Sequence, residues 1–240
     1  MDIDFTMWNL RKIVFLCVVF VALTSVSAQT PEFQFGVKGG LNLSKAFAND
    51  ASAMRRQAGY HIGGSVDYLI TSIFGLQSGL FLSKQGSVID NLNSGKYDGG
   101  TPNFTHSFNQ LYLQMPLYVA LRMNISNELN MSVSFGPYFG YGVGGKTKKK
   151  LNSGQYSDGS AETEWVTFGD GVFDKDRPWL KGEYLNRFDF GVGTNAEIEY
   201  KKIIFGIGLE SSIIDIMNRE NDKELQYRNV NIRISVGYRF

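Results

Sequence analysis

The sequence predicts an all-β fold, an eight-stranded antiparallel up-and-down transmembrane β-barrel, on three observations. Apolar residues recur at every second position in segments of about 10 to 16 residues, the period of a strand and not of a helix. The connections between these segments alternate between short and long. Glycine is abundant, 27 of 240 residues, while proline contributes only 5, so the chain is neither collagen-like nor a proline-rich disordered tract.

The one long apolar run precedes the first strand. Arg11 and Lys12 stand before Ile13 to Leu23, and small residues follow, with Val26 and Ala28 just ahead of Gln29. This reads as a secretory signal peptide over 1–28, leaving a barrel domain over 29–240. Its apolar core of about 11 residues is too short to span a bilayer. Asp2 and Asp4 sit oddly in a basic leader, so Met7 is the expected start. Cys17, the single cysteine, lies inside the apolar core rather than at its end, which argues against a lipoprotein cleavage site. The expected mature chain therefore has no disulfide, thiol nucleophile or cysteine ligand. Hydrophobic content of 43% and charged content of 20% exclude a helical polytopic protein, and a net charge of +1 offers no reason to expect nucleic acid.

Strand one (33–44) places Phe33, Phe35, Val37, Gly39, Leu41 and Leu43 on one face and Gln34, Gly36, Lys38, Gly40, Asn42 and Ser44 on the other. Strand two (60–70) repeats the pattern, with Tyr60, Ile62, Val66 and Tyr68 opposite His61, Ser65 and Asp67. Five more segments follow at 74–86, 108–123, 129–144, 186–200 and 203–213. The last, 228–240, alternates Val230, Ile232, Ile234, Val236, Tyr238 and Phe240 with Asn231, Arg233, Ser235, Gly237 and Arg239. Short turns (71–73, 124–128, 201–202) follow strands two, four and six. Connections of about 13, 21, 41 and 14 residues follow the odd strands, the third forming a long outer loop at 145–185; short turns on one rim and long loops on the other is the pattern of bacterial outer-membrane barrels. A soluble eight-stranded cup of lipocalin type is the rival. Ionised groups and glycines on the polar face of long strands favour a crowded polar lumen over that cup.

Four segments carry a resemblance: Gly36-Val37-Lys38-Gly39-Gly40-Leu41-Asn42-Leu43-Ser44, Gly59-Tyr60-His61-Ile62-Gly63-Gly64, Gln110-Leu111-Tyr112-Leu113-Gln114-Met115-Pro116-Leu117 and Phe135-Gly136-Pro137-Tyr138. Together they resemble the small PorT-like outer-membrane β-barrel proteins common in Bacteroidota. The ending Val236-Gly237-Tyr238-Arg239-Phe240 is similar to the C-terminal signal read by the barrel-assembly machinery, with Gly237, Tyr238 and Phe240 as its signal residues. In OmpX-like barrels such an ending closes the last strand. The resemblance implies location in the outer membrane of a Gram-negative bacterium after leader removal, among outer-membrane lipid and lipopolysaccharide. It also implies that some relatives assist protein secretion.

An eight-stranded barrel is only wide enough to be filled by its own side chains, so a wide diffusion pore is not expected. Five bases (Lys38, Arg122, Arg187, Arg233, Arg239) and five acids (Asp67, Asp189, Glu197, Glu199, Glu210) face inward as a self-neutral network. If the last two strands run level from Ile203 and Phe240, Glu210 stands directly opposite Arg233.

Candidate chemistry is sparse. His61 faces inward with Ser65 and Asp67, but four and six residues along one strand span roughly 13 to 20 Å, too far for a hydrogen-bonded triad. His106 is read as a loop-two residue beside Thr105 and Ser107. In loop three, Lys146-Thr147-Lys148-Lys149-Lys150 offers Lys148 and Lys149 to lipid phosphates or, more simply, to solvent. Asp170, Asp174 and Asp176 supply oxygens, but their spacing does not match a calcium loop, so no metal or cofactor is expected. The loop aromatics Tyr156, Trp165, Phe168, Phe173, Trp179 and Tyr184 suit a partner surface, with Trp165 and Trp179 as contact candidates. Alternatively they order the loop, or Glu162 to Phe168 extends the barrel as a hairpin. Outward Phe33, Phe35, Tyr68, Phe74, Tyr200, Tyr238 and Phe240 form one expected interfacial girdle, and Tyr60, Tyr141, Phe188 and Phe190 the other.

The functional expectation is a non-enzymatic outer-membrane barrel that binds, adheres or assembles through its outer loops, with an unknown extracellular or periplasmic partner. A rim-located hydrolase or acyltransferase and a soluble lipocalin-like carrier are the alternatives.

Overall fold

The computed structural model describes residues 32–47, 54–93, 103–153, 162–168, 185–216 and 228–240. Its strands are β1 (Glu32–Phe47), β2 (Met54–Leu69), β3 (Phe74–Asn93), β4 (Asn103–Asn124), β5 (Leu129–Gly144), β6 (Lys146–Ser153), β7 (Glu162–Val166), β8 (Phe188–Tyr200), β9 (Ile203–Ser212) and β10 (Arg228–Arg239). The ladder runs β3-β2-β1-β10-β9-β8-β5-β4, and β3 pairs with β4, so eight antiparallel strands close on themselves. Closure satisfies the backbone groups that a sheet edge would leave bare in hydrocarbon. The predicted eight-stranded barrel is what the chain forms.

Its faces are inverted relative to a soluble cup. Outward Leu41 and Ile62 are 66% and 61% exposed, whereas inward His61 and Glu210 are 2% and 3% exposed. At the short-turn end, Phe33 packs on Tyr68 with ring centroids 4.7 Å apart, and Tyr238 on Phe240 at 5.9 Å. Lys201 and Lys202 set their ammonium groups over Tyr200 and Tyr238 at 5.4 and 5.8 Å. This is the interfacial arrangement of an aromatic belt with snorkelling lysines.

The strands run further at the long-loop end than hydrophobic alternation suggests. β2 begins at Met54 rather than at 60, β3 continues to Asn93 and β4 starts at Asn103. Above the bilayer the outward face has no need to be apolar, so the hydrophobic period fades while the hydrogen-bond ladder continues. His106 accordingly lies in β4, opposite Ile89 and Lys149, and not in a loop.

The long outer connection at 145–185 is also partly strand. Gly145, at φ 142, lets the chain turn where β5 ends. β6 then continues along β4, with Thr147 opposite Phe108, and β7 pairs with β6 as an upright hairpin. Lys148 and Lys149 are thus strand residues, opposite Glu164 and Thr163. The expected leader over 1–28 with Cys17, and Tyr156, Asp170, Phe173, Asp174, Asp176, Trp179 and Tyr184, lie outside the described residues, as do the side chains of His106, Lys149 and Trp165.

Glycine makes the narrow interior packable. A Cβ on either Gly63 or Gly79 would stand 2.7 Å from the Phe81 ring. Both positions therefore have to be side-chain-free for Phe81 to lie across the lumen.

Candidate functional site

The inward face builds a stack of ion pairs. At the short-turn end, Arg239 Nη1 meets Asp67 Oδ2 at 2.6 Å, and Arg239 Nε and Arg122 Nη2 share Glu199 Oε2 at 3.0 and 2.7 Å. Gln34 Oε1 accepts from both arginines, at 2.8 Å from Arg122 and 2.7 Å from Arg239. In the middle, Lys38 Nζ holds Glu197 Oε1 at 2.5 Å, and the same oxygen accepts from Asn195 Nδ2 at 2.7 Å. Above them Arg233 Nη1 binds Glu210 Oε1 at 2.6 Å, and its guanidinium lies 5.7 Å from the Phe81 ring centroid. Short charge-assisted bonds of this kind offset the desolvation of each partner.

Two of the inward charges find other partners. Asp189 accepts from Ser212 Oγ at 2.6 Å and from the Tyr138 hydroxyl at 3.3 Å. Arg187 Nη1 donates to the Gly142 carbonyl at 3.0 Å. The level register expected for the last two strands is off by two. Arg233 stands opposite Gly208, and Glu210 opposite Asn231. The ion pair is consequently diagonal, and Gly208, with no side chain, leaves the path between them open.

His61 is engaged across strands rather than along its own. Asn42 Nδ2 donates to the Tyr60 and Lys84 carbonyls, each at 3.0 Å, and to Ser83 Oγ at 2.9 Å, so its Oδ1 is left as an acceptor. His61 Nδ1 donates to that oxygen at 2.8 Å, and Nε2 accepts from Ser235 Oγ at 2.9 Å. The tautomer is assigned from this bond pattern. Gly40 stands opposite both His61 and Ser235, and the gap above it is where the two side chains meet. Sequence reasoning searched strand two alone and missed Asn42 and Ser235; the signal was a glycine between two polar residues on flanking strands.

The adjoining cavity is about 20 Å³, bounded by Lys38, His61, Tyr118, Glu197, Arg233 and Ser235 among others, room for about one water. The serine–histidine–asparagine chain ties β10, β2 and β1 together beside this cavity. His61→Ala, which strands Asn42 Oδ1 and Ser235 Oγ, is expected to lower stability by about 1–3 kcal/mol. The heating midpoint at which the folded electrophoretic form converts to the unfolded one measures this loss.

At the outer mouth the filling becomes apolar. Ala46, Phe108, Tyr112, Phe168, Leu185 and Ile216 form a buried cluster. Phe168 stands edge-on to Tyr112 at 5.2 Å and 71°, directly over Gly142, where a Cβ would be 2.6 Å from its ring. Leu185 N donates to the Thr167 carbonyl at 2.9 Å, and Asn186 N to the Ile216 carbonyl at 2.7 Å. Thr167 Oγ1 donates to the Asn109 carbonyl at 2.6 Å. Among the described residues these contacts form an apolar cap at this end of the lumen and pin residues 168 and 185 side by side. Among the described residues no group of three or more His, Cys, Asp or Glu is placed to hold a metal ion.

The family model described as "Outer membrane protein beta-barrel domain" matches residues 27–218. No curated protein matches the chain. Similar solved structures include Ail, the attachment invasion locus protein of Yersinia pestis, at 12% identity and TM-score 0.41, covering 87% of this chain and 99% of that one. Neisserial surface protein A has 10% identity and TM-score 0.40, covering 86% and 97%. OprG from Pseudomonas aeruginosa has 14% identity and TM-score 0.37, covering 88% and 97%. At such distances no residue role passes to this chain.

Proposed function

The chain belongs to the outer membrane protein beta-barrel domain family, and we propose that it is a binding, adhesion or assembly component that works through its outer loops and rim. One observation carries this reading. The lumen is filled by ion pairs and closed by an apolar cap, while that cap clamps residues 168 and 185 together. A channel needs an open bore, and a display scaffold needs a rigid base beneath a loop with clamped ends. This chain offers the second.

The finer parts of the reading rest on the sequence. Residues 1–28 are removed as a leader, 29–240 insert, and Gly237, Tyr238 and Phe240 serve as the signal for the barrel-assembly machinery. The motifs of β1, β2, β4 and β5 favour a PorT-like protein of Bacteroidota type. Lys148 and Lys149 on the upright hairpin, with Trp165 and Trp179, are the contact candidates, and the partner is extracellular or periplasmic. No enzymatic activity is proposed, because the buried His61 has no access for a substrate.

The test exchanges residues 169–184 for a short glycine-serine linker in cells displaying the protein, then measures their adhesion to immobilised glycans and extracellular proteins. The expected result is a barrel that still migrates as a folded form and cells that no longer adhere. Unchanged adhesion by the exchanged form, against cells lacking the protein, overturns the loop reading.

A further inference from the structure

Two cavities in the short-turn half of the lumen share a wall. The upper one, of about 20 Å³, lies beside His61, Arg233 and Ser235, and the lower one, of about 10 Å³, beside Arg122, Ser132 and Arg239. Asp67 and Gln77 line both, and they stand directly opposite each other on β2 and β3. This pair is therefore the partition between two spaces, each about the size of one water.

Protein groups satisfy the polar atoms around the partition only in part. Asp67 gives Oδ2 to Arg239 at 2.6 Å, while its Oδ1 is buried and has no partner among the described residues. Arg233 Nε, from a residue lining the upper cavity, is buried and unmatched in the same way. Gln77 Nε2 reaches Glu197 Oε2 at 3.5 Å, beyond the range of a good hydrogen bond. A buried carboxylate oxygen without a donor carries the full penalty of its lost hydration, so the partition calls for a donor. Charge decides which kind. The four bases that line the cavities, Lys38, Arg122, Arg233 and Arg239, already meet the carboxylates of Glu197, Glu199, Glu210 and Asp67. A further cation would be in excess, and a neutral donor fits.

We propose that the two cavities hold a file of water molecules that enters at the short-turn mouth, passes the Asp67–Gln77 partition on Asp67 Oδ1, and ends beneath the Phe81 ring and the Arg233–Glu210 pair. At the mouth, the side chains of Arg122, Glu199 and Arg239 keep 12%, 10% and 10% exposure, which leaves them in touch with solvent. At the far end His61, Phe81 and Tyr118 wall the upper cavity. The interior is thus a vestibule that is wet from the short-turn side to mid-lumen. A file one water wide admits a compact ion at most and no sugar. The inference does not depend on what the loops bind.

The test is the reaction of silver ion with single cysteines, a residue the expected mature chain lacks. Cysteine replaces Ser132 on the lower cavity, Ser65 on the upper one, or Ser134, the next inward residue of β5, which is 1% exposed and lines neither. Folded protein in neutral detergent micelles is treated with silver nitrate for increasing times, and the thiols left free are counted with a maleimide after unfolding. Ser132→Cys is expected to react first and Ser65→Cys second, with Ser134→Cys about a hundredfold slower because it waits for local opening. Gln77→Met makes the partition apolar; it is expected to slow Ser65→Cys about tenfold and to leave Ser132→Cys unchanged. Ser65→Cys reacting as slowly as Ser134→Cys overturns the file, and equally fast reaction at all three positions replaces it with general breathing of the barrel. A Ser65→Cys rate indifferent to Gln77→Met would mean that silver arrives from the outer mouth, which overturns the proposed direction of entry. The folded band on unheated electrophoresis confirms that each variant kept its barrel, so a fast rate does not report misfolding.

Discussion

Arg233→Ala is expected to lower the unfolding free energy by about 3–5 kcal/mol, while the double variant Arg233→Ala/Glu210→Ala loses less. The two side chains are 8% and 3% exposed and bonded at 2.6 Å. Among the described residues, removing the arginine leaves the Glu210 carboxylate with the Tyr118 hydroxyl at 3.3 Å and Asn231 Nδ2 at 3.4 Å. Those neutral donors do not compensate a buried charge, so most of the loss is the cost of the stranded acid. Taking the acid away as well removes that cost, which is why the order of the two variants is informative. Urea unfolding from lipid vesicles measures both, and equal losses would dissolve the pairing.

Gly142→Val is expected to cost about 1–3 kcal/mol by overpacking, and to unseat the cap. The three atoms nearest a Cβ at this position all belong to the Phe168 ring, at 2.6 to 2.7 Å. The ring therefore has to leave Tyr112, and the pairing of Phe168 with Leu185 goes with it. Phe168→Ala in the same chain is expected to recover most of the stability lost to valine, since it removes the obstructing ring. Limited proteolysis of whole cells reports the cap: the Gly142→Val protein is cut within 169–184 faster than the unaltered one. An additive double variant would mean that Gly142 and Phe168 do not share this space.

The barrel was legible in the sequence because a membrane strand that also lines a polar lumen must alternate at every residue. Leu41 and Asn42, or Ile62 and His61, show the rule in neighbouring pairs. The rule stops at the bilayer. The outer parts of β2, β3 and β4 carry Arg55, Ser87 and Thr105 with no apolar alternation, and their strand character rests on pairing that a single segment does not reveal. The lysines of β6 were read as a loop for the same reason, although the hairpin extension was one of the readings open for Glu162 to Phe168.

Inward charge was legible too, but partners were not. Parity puts Glu210 and Arg233 inside, whereas the two-residue stagger between β9 and β10 decides who meets whom. Asp189 and Arg187 illustrate the limit of counting charges. Near the outer mouth the company is Ser212, Tyr138 and the Gly142 carbonyl, so neutral groups satisfy both. Asn42, His61 and Ser235 come together only because β10 closes onto β1, the least local strand pairing among the described residues.

Solute flux through the purified barrel in lipid vesicles, with unheated electrophoresis of the same vesicles showing the folded form, tests most directly whether the protein works at its rim and not through its bore. The filled lumen and the cap predict no swelling in isotonic arabinose beyond that of protein-free vesicles. Rapid swelling by the folded, unaltered protein would contradict this and make the lumen a pathway.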